Sequence, residues 1–271
     1  MGNLFWAFTL TLIAGLATSI GGLITISFKK TNKRFLSVSL GFASGVMIYI
    51  SMVEILGEAK EFLEEPFGES RGTLIAIIAF LGGIILMALI DRLLPDKHNH
   101  EIKDPLTATD ASNDQSKEEQ SGLTRTGRFT AWAVAIHNFP EGLVTFMAAL
   151  YDPILAIPIA VAIIIHNIPE GIAVAAPIYY GTGSKKKALW YSALSGLAEP
   201  LGALIGFLIL RPFIGYTLYG IVFGTIAGIM IFISLDELLP AAKEHGEDPH
   251  LPVYGLVAGM AVMAFSLWLF I

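Results

Sequence analysis

Two copies of one short pattern carry the side chains of this sequence that could bind a metal ion. The first copy, His137 to Gly142, reads His-Asn-Phe-Pro-Glu-Gly, and the second, His166 to Gly171, reads His-Asn-Ile-Pro-Glu-Gly. Each residue turns a helix by about 100°, so the glutamate lies about 40° from the histidine and between it and the asparagine. The carboxylate can then serve two neighbouring ligand sets, which is the geometry that a site for two cations needs.

The proline in each pattern supports this interpretation. Pro140 has no N–H for the carbonyl of Ile136, so it predicts a kinked helix with a freed backbone oxygen. At membrane depth such a backbone is tolerated where it is packed in protein or lines a wet cavity. A single copy could be a kink with a satisfied buried carboxylate, but the second copy favours a metal site.

The composition is that of a polytopic membrane protein. Of the 271 residues, 54% are hydrophobic and 15% are charged, and the mean hydropathy is +0.67. Soluble globular domains contain about 25% charged residues, so this chain is not one of them. The sequence has no cysteine, which excludes disulfides and thiolate metal sites and leaves His, Asn, Asp and Glu to hold any metal.

Runs of about twenty apolar residues predict an all-α fold with eight membrane-spanning helices. The first run has no basic region or small-residue cleavage site before it, so we interpret it as a retained span. The predicted spans are 4–28, 35–57, 72–94, 127–150, 154–180, 187–210, 214–240 and 252–271. The predicted units are 1–94 with spans 1–3, a polar and disordered cytoplasmic loop at 95–125, 126–181 with spans 4–5 and both metal patterns, and 182–271 with spans 6–8.

Basic residues predict the side of the membrane that each connection faces. Of the 17 Lys and Arg residues, 14 flank the spans on one side, which the positive-inside rule makes cytoplasmic. The other three are Lys60, Arg71 and Arg211. Because the number of spans is even, both termini are expected outside the cytoplasm, in a multi-pass protein of the cell (inner) membrane.

The two ends of the chain repeat each other. Gly41–Ile48 matches Gly224–Ile231 at both glycines, the methionine and the isoleucine, and the offset of 183 continues to Ser51 with Ser234. A weaker similarity relates Gly15-Leu16-Ala17 to Gly196-Leu197-Ala198. Five crossings separate the copies, so they lie upside down relative to each other, which is typical of transporters. The paired glycines predict close contacts between helices.

Further acids lie inside or near the spans: Glu54 in span 2, Glu199 in span 6, and Asp236 with Glu237 near the cytoplasmic end of span 7. A carboxylate at the bilayer centre costs roughly 2.5–3.5 kcal/mol. Glu54, Glu141, Glu170 and Glu199 together would cost about 10–14 kcal/mol, which is comparable with the stability of a whole domain, about 5–15 kcal/mol. No lysine lies inside a predicted span except Lys187 at the very start of span 6, so divalent cations, water in a pathway and protonation remain to offset this cost.

Some of these residues have simpler interpretations. Glu54 could be an acid at a helix end that reaches water, and Asp236 with Glu237 could be a solvated helix end. His98 and His100 in the loop could form a weak metal site, but a solvated segment is the favoured interpretation.

The paired patterns and the eight spans resemble the ZIP family of divalent-metal transporters, and within it the bacterial ZupT-type branch. The resemblance implies two inverted three-helix units around the fourth and fifth helices, a 3+2+3 arrangement, with metal moving from outside to the cytosol. It also implies an exit site that maps onto Asp236 and Glu237. The binuclear site that it implies maps onto His137, Asn138, Glu141, His166, Asn167, Glu170, Glu199 and Glu54.

The sequence therefore favours uptake of divalent transition metals by alternating access, and not an enzyme. Imidazole with carboxylate and carboxamide suits Zn²⁺, the expected main substrate, and also Fe²⁺, Mn²⁺, Co²⁺ and Cd²⁺. No P-loop pattern is present, so we expect gradients to drive transport, with no cofactor and no nucleic-acid partner. The expected partners are the lipid bilayer and the metal ions, and a homodimer is left open. The alternatives are channel-like permeation and, more remotely, an intramembrane metal-dependent hydrolase, which would need two histidines one turn apart.

Overall fold

Helices account for nearly all of the described chain. The computed structural model describes residues 2–27, 33–93, 114–245 and 248–270, and no strand occurs among them. Two π-helical segments, Ser51–Ile55 and Ser234–Leu238, and a 3₁₀ turn, Arg211–Phe213, join some of the helices. The α-helices are α1 (Gly2–Ser27), α2 (Lys33–Ile50), α3 (Leu56–Phe67), α4 (Glu69–Leu93), α5 (Asp114–Tyr151), α6 (Pro153–Thr182), α7 (Lys185–Gly196), α8 (Ala198–Leu210), α9 (Tyr216–Ile233), α10 (Leu239–His245) and α11 (Leu251–Phe270).

Eight helical stretches among the described residues are long and apolar enough to cross a membrane, as the sequence predicts. They are Asn3–Ser27, Arg34–Phe67, Glu69–Arg92, Gly122–Tyr151, Ala156–Thr182, Lys185–Phe213, Tyr216–Glu244 and Leu251–Leu269. Three of these spans are composite: the second joins α2 to α3, the sixth joins α7 to α8, and the seventh joins α9 to α10. The chain is an all-α polytopic membrane protein.

The boundaries differ from the sequence prediction at two places. The second span continues to Phe67 instead of ending near residue 57, because Glu, Lys and Leu residues favour helix although they are not all apolar. Helix α5 begins at Asp114, so the predicted loop end at Arg125 differs from the structure, again in a segment rich in Gln, Lys and Glu. Residues 95–113 of the predicted loop lie outside the described residues, as do His98 and His100.

The two π-helical segments lie at corresponding positions of the sequence repeat. Ser51–Ile55 and Ser234–Leu238 are related by the offset of 183, and each follows a long helix and precedes a short one. A π-helical segment contains one extra residue in its turn, which reorients the side chains that follow, and such segments occur frequently at functional sites. Glu54 and Glu237 occupy the same position in the two segments.

The fifth span is the most buried of the eight spans among the described residues. In the apolar stretch of the fifth span, 72% of the residues are buried. The corresponding share is 17% in the third span and 28% in the eighth. Helix α5 packs on α6, and these two pack on α8 and α1, respectively. Outside this group, α2 packs on α11 and α4 on α9. The outer helices bear many exposed large apolar side chains, which suits contact with lipid.

Glycines bring these helices into backbone contact, as the paired glycines predict. A Cβ atom at Gly41 or Gly45 would overlap the carbonyl oxygens of Pro252 and Leu256 on α11, and one at Gly228 would overlap that of Phe80 on α4. Small residues at such positions allow helices to pack closely in a membrane. Glycines also allow close contacts between helices at the site described next.

Candidate metal centre

Glu141, His166 and Glu170 form a cluster in which one ligand atom of each residue lies within 4.8 Å of the other two. All three side chains are fully buried. His166 Nε2 lies 3.2 Å from Glu141 Oε2, which joins the pattern on α5 to the pattern on α6. The two copies of the sequence pattern, 29 residues apart, therefore meet at one place.

The two pattern asparagines are anchored in the same way to carbonyl groups of neighbouring helices. Asn138 Nδ2 donates to the carbonyl oxygen of Ser195 on α7 at 3.2 Å. Asn167 Nδ2 donates to the carbonyl oxygen of Ala14 on α1 at 2.9 Å, and also to Glu199 Oε1. These bonds use the amide N–H groups and fix the orientation of both side chains, which leaves the Oδ1 atoms as the remaining polar groups.

Glu199 lies just after a one-residue turn in the sixth span. Pro200 has no N–H to donate to the carbonyl of Gly196, so α7 ends at Gly196 and α8 begins at Ala198 after a turn at Leu197. Glu199 thus lies in the first turn of α8, where the helix dipole stabilises a negative charge. Its carboxylate is fully buried and accepts a hydrogen bond from Asn167 Nδ2, which joins it to the second pattern.

Four buried oxygen atoms of this region accept no hydrogen bond from the described part of the chain. They are Asn138 Oδ1, Glu141 Oε1, Asn167 Oδ1 and Glu199 Oε2. Buried oxygens are normally hydrogen-bonded, and each exception calls for an explanation such as an ion. No Lys or Arg side chain is buried among the described residues, so the chain brings no fixed cation to these acids. Carboxylate and amide oxygens beside an imidazole form a donor set that suits a divalent transition-metal ion.

The glycine that ends each pattern brings a neighbouring helix against the cluster. A Cβ atom at Gly142 would overlap the carbonyl oxygen of Glu199, and one at Gly171 would overlap the carbonyl oxygen of Thr18. Only a residue without a side chain allows α8 and α1 to approach α5 and α6 this closely. The last residue of the pattern therefore positions the site although it cannot bind an ion.

Comparison with known proteins identifies the family. A family model described as "ZIP Zinc transporter" matches residues 3–91 and 94–267. The chain belongs to the ZIP family. Three proteins named "Zinc transporter ZupT" are similar to it over nearly their whole lengths. The one from Streptococcus mutans is 54% identical over 99% of each chain. That from Clostridium perfringens is 53% identical over 100% of this chain and 98% of its own. That from Corynebacterium glutamicum is 55% identical over 99% of this chain and 100% of its own.

The remaining candidate residues of this ZIP-family chain are Glu54, Asp236, Glu237 and His137. Glu54 is half-buried on its π-helical segment, which packs against α9, and it is not in the Glu141–His166–Glu170 group. On the seventh span, Asp236 is exposed and Glu237 is half-buried. His137 lies in α5, but its side chain is outside the described residues. Metal binding by any of the candidate residues stays a prediction.

Sequence reasoning missed the backbone groups that hold the site. The carbonyl groups of Ala14 and Ser195 orient the two asparagines, but a carbonyl is present at every residue, so no side-chain pattern identifies them. One signal was available, because Gly15 and Gly196, the residues that follow these two, begin the matching Gly-Leu-Ala segments. A Cβ atom on either glycine would overlap the carbonyl oxygen of the other, so α1 and α7 cross at this pair.

Replacement of Gly142 by alanine tests this packing. We expect Gly142→Ala to destabilise the protein by about 1–3 kcal/mol, because the added methyl group meets the backbone of Glu199, which cannot rotate away. Gly82→Ala is the matched control, since nothing lies within 4 Å of a Cβ atom there, and alanine in a helix stabilises by up to about 1 kcal/mol. Thermal unfolding of both variants in detergent measures the difference. If Gly142→Ala unfolds at or above the wild-type temperature, the close approach of α5 and α8 is not required.

Proposed function

We propose that this chain transports divalent metal ions into the cytoplasm, with Zn²⁺ as its main substrate and Fe²⁺, Mn²⁺, Co²⁺ and Cd²⁺ as further substrates. The observation that carries the proposal is the burial of Glu141, His166 and Glu170 in one cluster, with no buried Lys or Arg among the described residues. Membership of the ZIP family and the names of the similar proteins support zinc as the substrate.

In this proposal the centre binds two ions. Glu141 and Glu170 bridge them, since each glutamate lies on its helix between a histidine and an asparagine. His137 and His166 supply imidazole nitrogens, and Asn138, Asn167 and Glu199 supply oxygens. The oxygen atoms that accept no hydrogen bond from the described residues support the roles of the two asparagines and of Glu141 and Glu199. The Irving–Williams order gives such a site little selectivity among the transition metals, so several of them are expected to compete.

The direction of movement in this proposal follows from the charge of the connections. Lys and Arg are concentrated on the side that we assign to the cytoplasm, with both termini on the opposite side. Asp236 and Glu237 then lie near the cytoplasmic end of the seventh span and would receive the ion as it leaves the centre. Both lie on a π-helical segment, and Asp236 is exposed, which supports a role on the exit path.

We propose alternating access as the mechanism. Helices α1, α5, α6, α7 and α8 pack mainly on one another and carry the cluster, and we call them the transport bundle. Helices α2, α3, α4, α9, α10 and α11 form a second packed group, which we call the wall. The two groups meet where α6 packs on α2 and where α5 packs on α9. Inverted repeats allow such groups to adopt two mirror-related packings, each open to one side of the membrane.

Substitution of the cluster glutamates tests transport. Glu141→Gln and Glu170→Gln should each abolish zinc uptake into proteoliposomes, because glutamine keeps the size of the side chain but removes the charge that binds the cation. Glu65→Gln is the matched control, since Glu65 is exposed on α3, and it should leave uptake unchanged. Uptake at the wild-type rate by either cluster variant, at equal protein abundance, would refute the metal-centre proposal.

A disulfide between the two groups tests alternating access against a channel. The chain has no native cysteine, so one cysteine on α6 and one on the facing side of α2 can be introduced without background. Their cross-link should stop zinc flux, and reduction should restore it, because the transport bundle can no longer move against the wall. A cross-link within the wall, between α4 and α9, is the control and should be harmless. Unchanged flux through the α2–α6 cross-linked protein would mean that the ion passes through an open channel.

A further inference from the structure

Three helices of the transport bundle meet at the end that we assign to the cytoplasm. The N-terminal part of α5 lies beside the C-terminal part of α6, because a Cβ atom on Gly127 would be 2.7 Å from Ile178 Cγ1. Only Gly183 and Ser184 separate the end of α6 from the start of α7. Residues 122–130 of α5 and the first turn of α7 therefore lie at the same end of the bundle.

Every charged side chain that the structure describes at this end is basic. The exposed basic side chains, which we call the basic rim, are Arg125 and Arg128 on α5 and Lys185, Lys186 and Lys187 on α7. No Asp or Glu occurs at residues 122–136 or 174–195. The whole chain has a formal net charge of −6, so the basic rim is a local feature and does not follow from the composition.

The wall has a different charge pattern on the same side of the membrane. Among the described residues there, the basic ones are Arg34, Arg92 and Lys243, and the acidic ones are Asp91, Asp236, Glu237, Glu244 and Asp248. The positive-inside rule concerns Lys and Arg and leaves acids free to occur, so it does not explain why the end of the bundle has none. A partner with negative charge at the bundle does explain it.

A tryptophan follows the basic residues on each of the two helices, about one turn deeper in the membrane. Trp132 comes four residues after Arg128 on α5, and Trp190 comes three residues after Lys187 on α7. Residues at these spacings lie on one face of a helix, and α5 packs on α7. The two indole side chains are 70% and 61% exposed. Tryptophan is enriched at the headgroup level of a bilayer, so the order of basic and aromatic residues matches the layers of a lipid monolayer.

The lysines at the start of α7 add to a positive charge that is already present. The N-terminus of a helix carries a partial positive charge, which acidic residues usually offset. The first turn of α7 contains no acid. Three neighbouring lysines there repel one another and the helix dipole, and a bound anion relieves this repulsion.

We propose that the basic rim, together with Trp132 and Trp190, is a docking surface for anionic phospholipids of the cytoplasmic leaflet. The ammonium and guanidinium groups bind the lipid phosphates, and the indole rings lie among the glycerol and upper acyl groups. Clusters of Lys and Arg beside membrane-spanning helices recognise anionic lipids in this way. The inference rests on the proposed function for the definition of the transport bundle and for the side that faces the cytoplasm. The lipid contact ties the part of the protein that moves in that mechanism to the charge of the membrane.

The test measures lipid binding by purified protein in a neutral, metal-free detergent. Phosphatidylglycerol or phosphatidylcholine with the same acyl chains is titrated, and the unfolding temperature is recorded. A ligand that binds the folded protein raises this temperature with its concentration, so each titration gives an apparent Kd. The test variant combines Lys185→Gln with Lys186→Gln. The matched control combines Arg92→Gln with Lys243→Gln, which removes the same number of exposed charges from the wall.

We expect phosphatidylglycerol, and not phosphatidylcholine, to raise the unfolding temperature of the wild type. The test variant should bind phosphatidylglycerol about 5- to 30-fold more weakly, because each basic residue at an anionic surface contributes about fivefold to binding. The control variant should bind as the wild type does. Lys185→Arg with Lys186→Arg keeps both charges and should retain the wild-type Kd, and added NaCl should weaken binding by the wild type.

Four results would overturn the inference. They are an unchanged Kd in the test variant, an equal loss in the control variant, equal stabilisation of the wild type by phosphatidylcholine, and equal stabilisation by inorganic phosphate, which would mean a site for free anions. If the test variant does not fold, wild-type binding of phosphatidylglycerol that is insensitive to NaCl overturns it. No metal is present in these measurements, so absence of zinc uptake by the wild-type protein would instead refute the proposed function.

Discussion

The burial of carboxylates in the middle of an apolar bundle is the constraint on which the rest of this structure depends. Glu141, Glu170 and Glu199 are fully buried, and at the bilayer centre each costs roughly 2.5–3.5 kcal/mol. His166, Asn167 and the first turn of α8 offset part of this cost. No buried Lys or Arg of the described residues supplies the remainder. A bound divalent cation would supply it, so the stability of the site would depend on the ion that the protein is proposed to transport.

This arrangement requires that five helices meet at their backbones. Gly142 and Gly171 allow α8 and α1 to approach α5 and α6, and Gly15 with Gly196 allows α1 and α7 to cross. The contacts occur in equivalent pairs, as expected if the two halves of the chain are inverted copies.

The sequence predicted the parts of this structure that depend on periodicity and composition. Eight apolar runs predicted the eight spans, and helical spacing predicted that each glutamate lies between the histidine and the asparagine of its own pattern. The sequence could not predict what depends on backbone placement. A turn occurs at Leu197, three residues before Pro200, yet α5 and α6 continue as helices through Pro140 and Pro169, because the neighbouring packing decides whether a helix breaks. Glu54 lies on a π-helical segment that packs against α9, and its role in the centre stays a prediction.

The most direct test of the account is to locate the ion. Anomalous diffraction from crystals of the protein soaked with Cd²⁺, compared with metal-free crystals, shows where a transition metal binds. The account predicts a strong peak among Glu141, His166 and Glu170, within bonding distance of at least one oxygen of each glutamate and of the imidazole. It also predicts that the peak disappears in Glu141→Gln. A loaded crystal with no metal at this cluster, or with metal bound only elsewhere on the chain, would contradict the central claim.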